Sequence, residues 1–278
     1  SNIVPWQLAG ATTVAAPVND QGELIFEEWI KLLNPRTRLV AVCQISNSLG
    51  TINPVEAMIA EAHARGIPVL IDGAQSIAHA SIDVRALDAD FFAFSSHKLY
   101  GPTGFGVLYA RRAMLETMRP WQGGGDMIRS VAFSGSTWND LPYKFEAGTP
   151  DISGAIGCAA AIDWLVSVGV EAAAAHEHAL LDYATPRLAE IPGLRLIGTA
   201  SRKAGILSFV MEHAHPQDIG SILDMEGVAV RTGHHCTMPL MERFGVPATA
   251  RASFAVYNGT DDIDQLVTGL HKVRKLFG

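Results

Sequence analysis

Short apolar runs alternate with amphipathic stretches along the first half of the chain. Four runs have the length and composition of buried strands, and they lie at residues 37–45, 67–72, 91–95 and 106–110. Residues 26–33 and 54–65 have the spacing of helices. Residues 9–18 predict one more strand, and a short helix is expected before Phe91. Strands that alternate with helices predict an α/β domain with a largely parallel sheet.

The second half of the chain has a different pattern. Residues 152–168 are small and apolar at helical spacing, and residues 171–190 form an alanine-rich helix. Strands and helices of a smaller α+β unit follow, with strands expected at 194–197, 204–210, 227–230 and from 250, and helices at 218–225, 240–244 and 262–277. We therefore expect two domains, a large one at 1–155 and a small one at 156–278.

The amino-acid composition limits the classes of protein to which this chain can belong. The 278 residues are 48% hydrophobic and 18% charged, which is typical of a globular chain. The net charge is −7 and no basic run occurs, so nucleic acid and anionic membranes are not expected partners. No apolar stretch spans a bilayer and no signal peptide opens the chain. Three cysteines cannot form a disulfide framework, which favours a reducing, cytoplasmic setting.

Polar side chains follow three of the predicted strands. The carboxyl ends of parallel strands form the usual ligand site of such sheets. A lysine desolvated there becomes a nucleophile suited to an aldehyde cofactor, a carboxylate can pair with a pyridine nitrogen, and hydroxyl and imidazole groups suit a phosphate. Taken singly, position alone favours a solvated loop lysine for Lys98, and Asp72 can equally be a helix cap. The strand-end residues are Asn47, Asp72, Gln75, Ser95, His97 and Lys98.

A second candidate centre lies at residues 230–239. Cys236 follows two histidines in a loop after a predicted strand, which is the setting of a reactive thiol, and the histidines are expected to favour its thiolate. A zinc site formed with His234 and His235 is the alternative, although adjacent residues converge poorly on one ion. Arg231 and Arg251 are either surface charges or a bidentate clamp for a carboxylate.

Four linked motifs resemble one enzyme family. Ile71-Asp72-Gly73-Ala74-Gln75 and the run from Ser95 to Gly104 are followed by Phe145-Glu146-Ala147-Gly148-Thr149-Pro150 and Arg231-Thr232-Gly233-His234-His235-Cys236. Together they resemble the pyridoxal-phosphate cysteine desulfurases, more the SufS type than the IscS/NifS type. The resemblance implies the fold-type I aminotransferase architecture, with a large cofactor domain, a small C-terminal domain and a homodimer.

The resemblance also implies roles for individual residues. Lys98 matches the lysine that forms the Schiff base, and Cys236 matches the nucleophile. Asp72 matches the partner of the pyridine nitrogen, and Gln75 matches the ligand of the phenolic oxygen. The phosphate ligands are matched by Ser95, by His97 and, from the other subunit, by Thr149. The contacts of the substrate carboxylate are matched by Asn47, Arg231 and Arg251.

The implied reaction converts L-cysteine to L-alanine and leaves a persulfide on Cys236 for iron–sulfur cluster assembly, with a SufE or SufU protein as sulfur acceptor. A selenocysteine lyase and an inactive truncated chain that binds a partner are the alternatives. An aminotransferase has no use for Cys236. The family carries a further N-terminal part, with a histidine that stacks on the pyridine ring and a Gly-Thr phosphate loop, and neither occurs in this sequence.

Overall fold

The computed structural model describes all of residues 1–278 and places four strands in a first sheet. The strands are β1 (Val40–Cys43), β2 (Val69–Asp72), β3 (Phe91–Ser95) and β4 (Gly106–Ala110), and they lie side by side in this order. β1, β2 and β3 are parallel, whereas β4 runs antiparallel to β3. The predicted largely parallel sheet is therefore present.

Helices cover this sheet and close its core. The elements are α1 (Val4–Leu8), α2 (Phe26–Leu32), α3 (Val55–His63), α4 (Arg112–Thr117) and short 3-10 helices at Ser76–Ala78, Ser96–Lys98 and Tyr143–Phe145. α3 buries four apolar residues at helical spacing, namely Val55, Met58, Ile59 and Ala62. They pack in one cluster with Val69 and Ile71 of β2, so the burial of this stripe is what holds α3 to the sheet.

A hairpin follows that the hydrophobic pattern did not predict. Its strands are β5 (Ile128–Ala132) and β6 (Gly135–Trp138), which pair antiparallel. Nearly every residue of the hairpin is exposed, including Phe133 at its tip. Because neither face is buried, the strands lack the alternation of apolar and polar residues that identifies a half-buried strand.

The rest of the chain builds a second, antiparallel sheet. Two long helices, α5 (Ile152–Val168) and α6 (Val170–Ala189), lead into it. Its four strands lie in the order β7, β8, β10, β9. The elements are β7 (Leu194–Ile197), β8 (Ile206–Met211), α7 (Pro216–Met225), β9 (Arg231–Gly233), α8 (Met238–Arg243), β10 (Thr249–Ser253) and α9 (Thr260–Phe277). One apolar cluster that includes Leu188, Phe209 and Leu270 joins the helices to the sheet.

The long helix α5 lies against the first sheet. Gly157 faces Pro102, with only 3.0 Å between the proline ring and the position of an added Cβ, and Leu165 shares an apolar cluster with Leu99. α5 ends at Gly169, whose positive φ of 89° turns the chain into α6. The division at 155/156 remains a prediction, and these contacts favour a boundary at Gly169.

Three local expectations differ from the structure. Residues 9–18 form no strand, because they are mostly exposed and pair only through an isolated bridge between Val18 and Leu24. The strand expected at 227–230 lies instead at Arg231–Gly233. The helix expected before Phe91 is a single 3-10 turn at Ser76–Ala78.

No single helix has the length and apolar composition needed to cross a membrane. α5 and α6 meet that test only when taken together, and they are bent by 72° where they join.

We expect Gly73→Ala to destabilise the first sheet. A methyl group added at Gly73 would lie 2.0 Å from the buried ring of Phe92, and overpacking of this kind typically costs about 1–3 kcal/mol. Chemical denaturation should show a lower midpoint than that of the parent chain. Gly123→Ala is the control, because nothing lies within 4 Å of the added methyl group. Equal midpoints for the two variants would contradict this account.

Candidate active site

The carboxyl ends of β1, β2 and β3 bring the predicted strand-end residues to one edge of the first sheet. Cys43 of β1 pairs with Asp72 of β2, which in turn pairs with Ala93 of β3. The 3-10 helix Ser96–Lys98 begins directly after β3, and the buried side chain of Leu99 anchors its end. Lys98 is therefore held at the sheet edge beside Asp72.

The amine of Lys98 lies in an unusual electrostatic setting. Although part of its side chain is exposed, desolvation by the surrounding protein lowers the pKa of Lys98, and the positive charges of Arg251 and Arg231 lower it further. The negative charges of Asp72 and Cys236 oppose this shift. These interactions place residues of both sheets around one amine, and the lowered pKa increases its unprotonated, nucleophilic fraction.

Two hydrogen bonds orient the carboxylate of Asp72. Its Oδ1 accepts a bond of 2.9 Å from the backbone N–H of Ala74, and its Oδ2 accepts one of 2.9 Å from Nδ2 of Asn2. Asn2 was missed by the sequence analysis, since the two residues lie 70 positions apart and no local pattern connects them. The half-buried carboxylate is thus fixed in place at the end of β2.

The groups at this edge fit an aldehyde cofactor with a pyridine ring and a phosphate. Lys98 supplies an amine, Asp72 a fixed carboxylate, and Ser95 and His97 a hydroxyl and an imidazole directly before that lysine. Gln75 lies in the turn after Asp72, half-buried at the start of a 3-10 helix. An amine, a carboxylate and phosphate ligands at one strand edge are the donor set that such a cofactor requires.

Thr149 stands apart from this group. It is exposed in the turn that follows the 3-10 helix Tyr143–Phe145, where the backbone N–H of Gly148 donates to the carbonyl of Gly125. No hydrogen bond or ion pair links Thr149 to the other predicted site residues within the chain. Its role as a phosphate ligand in a second subunit remains a prediction.

Two arginines without ion-pair partners lie next to each other on the second sheet. Arg231 of β9 and Arg251 of β10 are register partners, and neither forms a salt bridge. Burial and the charge of Arg231 lower the pKa of Arg251, whose Nη1 donates a bond of 2.5 Å to the backbone carbonyl of Asn47. Adjacent guanidinium groups of this kind form a site for a carboxylate.

Cys236 lies in a turn with unusual backbone geometry. The thiol-bearing residue is exposed, whereas His235 is only 2% exposed, and the two have positive φ angles of 61° and 51°. A left-handed conformation costs a non-glycine residue about 1–2 kcal/mol. The side chain of Asn47 donates a hydrogen bond of 2.7 Å to the backbone carbonyl of His235, so this turn contacts the domain that contains the first sheet.

The expectation that the histidines favour the thiolate of Cys236 remains a prediction, and a positive charge on His235 does not contribute to it. Burial, together with the charges of Arg251 and Arg231, lowers the pKa of His235 to about 4. Its ring is therefore neutral near pH 7, and its Nε2 lies 2.9 Å from Oγ1 of Thr249. The cations that act most strongly on this buried ring are the two arginines. No group of three or more His, Cys, Asp or Glu side chains is placed to hold a metal ion.

Comparison with protein families gives one match. The model described as aminotransferase class-V matches residues 1–266. A cysteine desulfurase of Dickeya dadantii is 52% identical over 283 aligned residues, an alignment that covers 100% of this chain and 68% of that protein.

Solved structures agree with this match. The crystal structure of the cysteine desulfurase CsdA from Escherichia coli superposes with a TM-score of 0.95 at 40% identity, covering 100% of this chain and 70% of that one. The apo structure of a cysteine desulfurase from Thermococcus onnurineus gives 0.94 at 36% identity, covering 98% and 70%. The fold-type I architecture expected from the sequence is confirmed.

The electrostatic setting predicts how Lys98 reacts with an acylating reagent. After hydroxylamine treatment to remove bound aldehyde, trace acetylation followed by peptide mass spectrometry should give Lys98 a lower pH midpoint than the exposed lysines. Arg251→Gln should raise that midpoint because a repulsive charge is lost, and Asp72→Asn should lower it because an attractive charge is lost.

Arg243→Gln is the control for this experiment. Arg243 pairs with Asp20 on the surface and is not among the charges that shift Lys98. A midpoint that responds equally to Arg243→Gln and Arg251→Gln would contradict the assigned electrostatic setting.

Proposed function

The chain belongs to the aminotransferase class-V family, and from that premise we propose that it is a cysteine desulfurase of the SufS type that supplies sulfur for iron–sulfur cluster assembly. Its cofactor is pyridoxal 5′-phosphate, on which the enzymes of this family depend. The observation that carries the proposal is the convergence of the Lys98 amine, two unpaired arginines and the Cys236 thiol on one site.

Each group of the cofactor has a partner among the residues of the first sheet. We assign the aldehyde to Lys98, the pyridine nitrogen to Asp72, and the phenolic oxygen to Gln75. The phosphate is assigned to Ser95 and His97, with Thr149 from a second subunit. When bound, the cofactor withdraws electron density from the substrate and so acidifies its Cα proton.

The substrate carboxylate is assigned to Arg231 and Arg251, with Asn47 beside them. Two guanidinium groups without counter-ions favour an anionic group, and the buried Nε of Arg251 has no protein partner. L-Cysteine carries that carboxylate, a Cα proton that the bound cofactor would acidify, and a sulfur on the neighbouring carbon. We assign these three groups to the arginines, to Lys98 and to Cys236.

The two reactive residues act on different atoms. The amine of Lys98, kept partly unprotonated by its surroundings, takes the Cα proton. The thiolate of Cys236 attacks the substrate sulfur, so that an S–S bond forms while the Cβ–S bond breaks and its electron pair returns to the carbon skeleton. In sum, L-cysteine and the Cys236 thiol give L-alanine and a persulfide on Cys236.

The remaining assignments extend the same proposal. We assign a SufE or SufU protein as sulfur acceptor, a homodimer in which Thr149 completes the second site, and a cytoplasmic location. The exposed position of Cys236 supports the first assignment, because a persulfide there is accessible to another protein. Three free cysteines are in keeping with a reducing compartment.

Removal of either reactive group tests the mechanism. Cys236→Ser should retain the visible absorbance of the bound cofactor but reduce alanine release from L-cysteine to background, with no persulfide detectable by mass spectrometry. Lys98→Ala should lose the proton-transfer contribution, about 10²–10⁴-fold in rate, and the absorbance of the anchored cofactor. Cys158→Ala is the control, since Cys158 is buried in α5 away from the turn that carries Cys236. Undiminished alanine release by Cys236→Ser would exclude the assigned nucleophile.

The assignment to the SufS type makes a separate prediction. Sulfur bound to Cys236 must leave before the next turnover, so added SufE or SufU protein should accelerate alanine release and acquire persulfide sulfur. The matched comparison is an acceptor whose own cysteine is replaced by alanine, which should give no acceleration. If neither acceptor changes the steady-state rate, the chain is a desulfurase of another type.

A further inference from the structure

Two sets of hydrogen bonds hold the turn that carries Cys236: one set lies within the turn, and the other anchors the turn to the rest of the chain. Locally, the backbone N–H and the Oγ1 of Thr237 both donate to the carbonyl of His234, at 2.7 and 2.9 Å. These bonds close the turn on itself. They do not determine where the turn lies relative to Lys98, which belongs to the other sheet.

The anchors of the turn come from one residue, His235. Its buried ring bonds Thr249, a fully buried residue of β10, and its backbone carbonyl accepts the side-chain amide of Asn47, 188 positions away in the first domain. Asn47 in turn accepts a bond from Arg251 through its own carbonyl. His235 thus joins the turn to both sheets, whereas the flanking His234 and Cys236 are exposed.

The backbone conformation of this turn explains why the turn needs anchors. His235 and Cys236 are consecutive non-glycine residues with positive φ, a conformation that persists only where the surroundings hold it in place. Released from its anchors, the turn would relax toward ordinary backbone angles. The Cβ of Cys236 would then point in a different direction, and its sulfur would leave the site.

We propose that His235 is the positioning residue for the nucleophile, in that its ring on Thr249 and its carbonyl on Asn47 hold Cys236 at the site formed by Lys98 and the two arginines. His235 acts through shape and hydrogen bonding and does not touch the substrate. This inference rests on the proposed function, in which Cys236 is the nucleophile. The position of the thiol can nevertheless be measured independently of turnover.

Thr249→Val is the sharpest test, because it removes one buried hydroxyl and keeps the shape of the side chain. His235→Leu and the double variant complete a mutant cycle, and His234→Leu is the matched control on the exposed neighbour. Two properties of the cofactor-loaded proteins are measured: the rate of Cys236 alkylation by iodoacetamide at one fixed pH, and the kcat and KM for alanine release from L-cysteine.

We expect Thr249→Val and His235→Leu to reduce kcat about 10- to 100-fold while the KM for cysteine changes far less, since a displacement of about 1 Å can cost 10²-fold in rate. The rate of Cys236 alkylation at that fixed pH should rise, because a thiol released from the anchored turn is held in fewer fixed positions and meets the reagent more often. The double variant should be no slower than His235→Leu, and His234→Leu should match the parent.

Two results would overturn the proposal. One is a Thr249→Val protein whose alkylation rate and kcat equal those of the parent. The other is a parallel loss of cofactor absorbance, thermal midpoint and kcat in every variant, which would indicate a general structural role. If the parent releases no alanine, the proposed function fails, but faster alkylation of Cys236 in Thr249→Val would still support the positioning role.

Discussion

The site depends on two guanidinium groups that lack a carboxylate partner in the folded chain. Arg231 and Arg251 lie side by side on the second sheet, and their charge reaches Lys98 and His235. Desolvation is the main cause of the lowered pKa of both groups, and this positive field lowers each pKa further. In the proposed reaction, a bound substrate carboxylate offsets the field, which increases the proton affinity of Lys98 when the amine must accept the Cα proton.

The segment after β1 couples the two sheets. Asn47 contacts Arg251 and the turn of Cys236, Ser208 of β8 donates a hydrogen bond to the carbonyl of Ser48, and Lys203 donates one of 2.6 Å to the carbonyl of Leu49. In each bond a side chain donates to a backbone carbonyl, so the contacts depend on the path of the accepting chain and on the identity of the donor. The cofactor residues on the first sheet and the nucleophile on the second are consequently held in one arrangement.

Sequence reasoning succeeded where a local pattern carried the information. Buried strands are apolar runs that end in polar residues, so Asp72 and Lys98 could be assigned to one sheet edge from the order of strands alone. The bond between Asn2 and Asp72 and the contact of His235 with Thr249 join residues distant in sequence, and no pattern predicts them. The exposed β5–β6 hairpin was missed because it has no buried face. The run His234-His235-Cys236 suggested that both histidines support the thiolate, whereas burial and the arginine charges lower the pKa of His235 to about 4.

His235 contributes position, and no charge, to the turn of Cys236. A protonated His235 would add another cation beside Arg251, and burial together with the arginine charges lowers the pKa of its ring. A neutral ring can instead fix geometry without adding repulsion. The arginines, which need no proton exchange to remain charged, supply the field that a carboxylate requires. The hydrogen bonds of His235 can therefore hold the strained, exposed cysteine in place without depending on a proton that this ring would gain or lose near neutral pH.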